Sequence, residues 1–245
     1  MDAASEGSTP LPPPPPSGLV SGDYAIKPLG GLVTAIGVLV PITAGLGLLF
    51  ALLNELSLDD ARLFLAGSIS ETEFVNSYGP GLTLQLAQTL TQLGAGISVI
   101  VWMRRLASHH EQIGRTSTWK PAWAVGGWFV PPLIFYVIPF LMFRELWKAT
   151  DQRTESWTTS PSSPLITGWF ITFGILPTGL AIGQWLDRSP LLGSGATAMA
   201  ETAINQRLII WGSALASVAS AALFVVFARQ LTRRHEALLK SRGLN

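Results

Sequence analysis

The chain has 245 residues, 48% of them hydrophobic and only 13% charged, with a net charge of +1 and a mean hydropathy of +0.39. Soluble domains carry roughly 25% charged residues, so this composition excludes a conventional water-soluble globule and points to an integral membrane protein. The absence of cysteine excludes disulfides, thiolate metal sites and cysteine nucleophiles.

Met1 to Ser8 carries Asp2 and Glu6 and no basic residue, which does not fit a secretory signal peptide, so insertion is expected to rely on an internal helix. Ser8 to Gly22 is dominated by Pro, Gly and Ser, with an unbroken proline run from Pro12 to Pro16. Such a run favours polyproline II and cannot build a core. Residues 1–27 are therefore read as a disordered Pro-rich cytoplasmic tail; a docking peptide for a proline-recognising partner is the alternative.

Five stretches then lack any charged residue over about the ~20 helical residues that cross a bilayer core. They are Pro28 to Asn54, Phe74 to Met103, Pro121 to Phe143, Ser156 to Leu186 and Leu208 to Ala228. Gly79-Pro80-Gly81 and the run from Ser160 to Pro164 are turn chemistry, so the second and fourth helices are expected to start after them. Asp59 or Ser57 is expected to cap a short surface helix in the loop between the first two spans. Trp102, Trp119, Trp123, Trp147, Trp169 and Trp185 fall near segment ends, where indoles favour the membrane interface.

Lys and Arg in short loops mark the cytoplasmic side. If all five segments cross, basic residues divide seven to nine and give no bias. If the third enters and leaves on one face, thirteen collect on one side, against Arg62, Arg188 and Arg207 on the other. Gly126-Gly127, Pro131-Pro132 and Pro139 also break this segment repeatedly. The expected fold is an all-α membrane bundle of four transmembrane helices plus a Pro-broken re-entrant or interfacial helix; five spans are the alternative. The membrane domain is residues 28–231, with helices near 29–54, 82–104, 165–185 and 206–231 and the re-entrant part at 123–150. Residues 232–245 form a basic tail, and both termini are cytoplasmic.

Polar chemistry inside the spans is scarce. Gln85, Gln88, Thr89 and Gln92 share a face of the second span, either as hydrogen-bonding glue between helices or as the lining of a hydrated path. Gly179 and Gly183, and the row Gly212, Ala216 and Ser220, have the small-residue spacing of close helix packing, within one chain or between copies. His109-His110-Glu111 lacks a second ligand pair and is read as a solvated juxtamembrane loop; no metal or other cofactor is expected. Trp123, Trp128, Arg144, Glu145 and Trp147 are the candidate groove, for a lipid headgroup or a partner's helix, or else an interfacial anchor. The juxtamembrane basic clusters suit anionic lipid headgroups. Nucleic acid is not indicated, because no reading motif accompanies the charge.

The stretch from Lys120 through Trp123, Gly126-Gly127, Trp128 and Pro131 to Pro139, followed by Arg144-Glu145-Leu146-Trp147-Lys148-Ala149-Thr150-Asp151, resembles the central signature of a bacterial multi-pass membrane family catalogued as domain of unknown function 4328. The resemblance extends more loosely from about Leu32 to Gln230. Where the family pattern often carries an Asn, Leu133 and Ile134 stand here. The resemblance implies a membrane fold and brings no activity with it. Common hydrolase, nucleotide and zinc-protease motifs are absent, so an enzyme is not expected. The expected function is a non-enzymatic scaffold or interaction protein of the cell envelope, partnered by the bilayer and by a second copy or another membrane protein. The alternative is small-molecule or ion permeation along the glutamine stripe and the hairpin.

Overall fold

The computed structural model describes residues 27–115, 118–129, 136–152, 156–186 and 195–244. The Pro-rich tail up to residue 26 and the Pro131-Pro132 element lie outside them. The described residues form helices α1 (Gly30–Leu56), α2 (Leu58–Leu65), α3 (Glu71–Gln112), α4 (Trp123–Gly126), α5 (Val137–Ala149), α6 (Pro164–Trp169), α7 (Leu176–Leu186), α8 (Ala196–Asn205) and α9 (Arg207–Ser241), and no strand. A π-helical stretch, Phe170–Ile175, joins α6 to α7, so helical backbone is continuous from Pro164 to Leu186. Among the described residues three helices, α1, α3 and α9, are long and apolar enough to cross a membrane.

α1 packs along both α3 and α9. Both run antiparallel to it, as two sets of end contacts establish. At one end Arg105 donates to the Pro28 carbonyl at 3.3 Å, and the Arg229 guanidinium lies 3.2 Å from where a Cβ on Gly37 would stand. At the other end Asn54 Nδ2 donates to the Ala203 carbonyl at 3.3 Å, and Glu55 accepts from the Arg207 guanidinium and from Trp211 Nε1. The first end also holds Arg104, Arg233 and Arg234 and is called the basic end below; the second, with Asp59, Asp60, Glu71 and Glu73 around α2, is the acidic end.

Several elements depart from their expected limits. α3 runs straight through Gly79-Pro80-Gly81 and begins at Glu71, because a full capping box starts it early. The Ser70 hydroxyl accepts from Glu73 N, and Glu73 accepts from Ser70 N at 2.8 Å. Gly81 then lets the Phe50 ring of α1 pack at 3.6 Å from its Cβ position, so the motif makes a helix contact instead of a turn. Ser57 precedes α2 but does not cap it, since its hydroxyl donates back to the Asn54 carbonyl. The expected basic tail after residue 231 is instead the last turns of α9, held by buried Leu231, Thr232, His235, Leu238 and Leu239. α8, which the charge pattern did not signal, packs three alanines, Ala196, Ala200 and Ala203, against α2.

The main core sits at the basic end. Phe143 of α5, fully buried, is its hub: Trp102, Trp169, Phe224 and Phe227 surround it with ring centroids 5.6–5.8 Å away. Edge-on and tilted geometries predominate, as the ring quadrupoles favour. Trp102, Trp147 and Trp169 are therefore core residues, not interface anchors as their positions in the chain suggested. The physical reason is that α5 packs among α3, α6 and α9, and these tryptophans fill the core between them.

Candidate functional site

The two ends of the segment between α3 and α6 are tied to each other. Arg115 donates to the carbonyls of Ala149, at 2.9 Å, and Asp151. Glu145 accepts from the backbone N–H groups of Thr118 and Trp119 at 3.2 and 3.5 Å. Between these ties, α4 and α5 fold together through Gly127, whose Cβ position is 2.6 Å from Ile138 Cγ2, so only glycine fits. Tyr136 opens α5 with a positive φ of 61°, its ring set between Trp128 and Phe173 at 5.9 and 4.7 Å. α5 has 13 residues, about 20 Å of helix, well short of a bilayer core.

The five candidate groove residues do not line one surface. Trp147 is buried, stacked on Phe227 and covered by the Arg234 guanidinium 4.2 Å above its ring. Glu145 is committed to the 118–119 backbone, and Arg144 lies over Phe140 at 5.5 Å. Trp123 is 41% exposed and meets Trp119 edge to face, whereas Trp128 turns its Nε1 into the interior without a hydrogen-bond partner. A cleft of about 530 Å³ does open beside Trp147, lined by Thr150, Asp151, Ser162, Ser163 and Arg234. Of the five, only Trp147 borders it.

The glutamine stripe divides in two. Gln88 packs over Gly47 of α1, its Nε2 2.7 Å from the Cβ position there, so the α1–α3 contact depends on a glycine. Gln85, Thr89 and Gln92 face outward and are exposed. The Thr89 hydroxyl donates to the Gln85 carbonyl, but neither glutamine amide has a hydrogen-bond partner among the described residues. Beside them stand Leu86, Leu90, Leu93 and Ile97, each 60–63% exposed. The stripe therefore lines no interior path in the single chain.

Of the small residues, Ala216 and Ser220 are buried and Gly212 meets Leu180 of α7 at 3.5 Å, so this row packs within the chain. Gly179 has open space at its Cβ position, and the surroundings of Gly183 lie outside what is described.

The histidines overturn the expectation of a solvated loop. His109, His110 and His235 are buried together where α3 and α9 extend past Arg104, Arg105, Arg233 and Arg234, beyond the charge-free membrane-length stretches. His109 Nδ1 and His235 Nε2 are 3.1 Å apart, and His110 packs on His235 with both ring nitrogens unpartnered. Among the described residues no group of three or more His, Asp or Glu side chains is placed to hold a metal ion. Nothing local in the sequence signals this cluster, because its halves are 126 residues apart.

Fold and surface together define an all-helical protein with three membrane-length apolar helices, a buried aromatic hub and an outward polar stripe. The chain belongs to the family described as Domain of unknown function (DUF4328), whose sequence model matches residues 69–233. The match begins just before α3, so α1 lies outside it, unlike the wider extent expected from the sequence. No curated protein and no solved structure matches the chain.

Proposed function

We propose that this protein is a non-enzymatic membrane scaffold whose α3 face is its interaction surface. The observation that carries the reading is the outward placement of Gln85, Thr89 and Gln92 on a membrane-length helix. In hydrocarbon an amide finds no water, so exposed glutamines on a span serve a helical partner better than they serve lipid. A permeation path would need the same residues turned into the bundle, whereas Gln85, Thr89 and Gln92 are exposed and Gln88 packs on Gly47 of α1. Replacing Gln85 and Gln92 together by Leu, with Gln88 left to pack on Gly47, is expected to shift the protein to a smaller assembly in native electrophoresis. Loss of solute flux in proteoliposomes with assembly unchanged would instead establish transport.

The accompanying topology has four spans, α1, α3, the Pro164–Leu186 rod and α9, with segment 123–150 re-entrant and both termini on the cytoplasmic, basic side of the cell membrane. The hydrogen bonds that Arg115 donates to the Ala149 carbonyl and that Glu145 accepts from Thr118 N, across the mouth of that segment, support it. In intact cells, single cysteines replacing Ser68 and Ser194 should react with an impermeant thiol reagent, while those at Ser8, Thr159 and Ser241 should not. Reaction at 159 with protection at 194 would show that the segment crosses.

A further inference from the structure

We propose that the occupant of the α3 face is a second copy of this chain, docked by a parallel, two-fold α3–α3 contact. The inference rests on the scaffold reading and names its partner. Gln85, Thr89, Gln92 and Gly96 follow one another at intervals of four, three and four, which draws a single seam along a helix. All four are exposed, and Gly96 has nothing within 4 Å of its Cβ position, so a neighbouring backbone can come close there. Leu82, Leu86, Leu93 and Ile97 border the seam on one side, and Gln88, packed on α1, and the buried Ala95 on the other.

The apolar row alone says nothing, because lipid covers leucine as well as protein does. The amides decide the occupant. Each carries a donor and an acceptor on one side chain, and neither is used within the chain. Copies inserted the same way, related by an axis along the membrane normal, bring each seam residue against its own counterpart. Gln92 then meets Gln92, and Gln85 meets Gln85, with the donor of one facing the acceptor of the other. A self-complementary seam without charge matches its own copy better than it matches lipid, which has no donor to offer in the hydrocarbon.

The test uses the full chain in native membranes, where the absence of cysteine makes oxidative cross-linking unambiguous. Thr89→Cys and Gly96→Cys should each give a disulfide-linked dimer at least five-fold above Leu215→Cys, an outward apolar position on α9 that reports random collision. Adding Gln92→Leu to Thr89→Cys should reduce that yield several-fold. Equal yields at 89, 96 and 215 would overturn the second-copy proposal. A photo-cross-linker at Leu93 then separates the two readings: an adduct at a mass other than twice 26.3 kDa leaves the scaffold standing with a different partner. No adduct at all removes both.

Discussion

The two ends of the bundle are built on different principles. At the basic end, α3, α5, α6 and α9 close together through six buried aromatic residues, Phe143 among them, beside a buried histidine cluster. At the acidic end, α2 and α8 meet through alanines and the stacked rings of Phe64, Phe74 and Tyr78, beside the half-exposed Glu55–Arg207 ion pair. Surface ion pairs contribute little, so the acidic end depends on a small satellite core. The contrast teaches that α5 is a structural plug: it locks α3, α6 and α9 together at one end, while the outward face of α3 stays exposed. Shape complementarity carries that lock, because within lipid the burial of apolar side chains brings no hydrophobic gain and packing supplies the stability.

The largest expected effect tests the plug directly. Phe143→Ala should cost roughly 2–4 kcal/mol, the cavity left by an aromatic hub, and should raise hydrogen exchange in α5, α6 and the second half of α9 together. Exchange confined to α5 would show that the helices hold one another without it.

The smallest effect belongs to the helix start. Ser70→Ala removes the hydroxyl half of the capping box and should cost about 1 kcal/mol, with fraying limited to the first turns of α3. A change at the basic end in this variant would show that the two ends are coupled through α3.

The long charge-free runs determined the all-helical, membrane-length character of the chain, because a backbone in lipid must satisfy its own hydrogen bonds and a run of twenty apolar residues has few other uses. Gly126-Gly127 equally marked a break, and among the described residues α4 ends there, at Gly126. Helix limits were less legible. Pro80 reads locally as a turn, yet the capping box at Ser70 and the contact of Gly81 with Phe50 carry α3 through it. Only tertiary structure decided which side of α3 the glutamines take: the face carries Gln85, Gln88 and Gln92 at helical spacing, and Gly47, on another helix, draws one of them inward and leaves two outside. The histidine cluster and the tryptophan hub are decided in the same way. Helical period states which residues share a face, and the packing of distant helices states what that face meets.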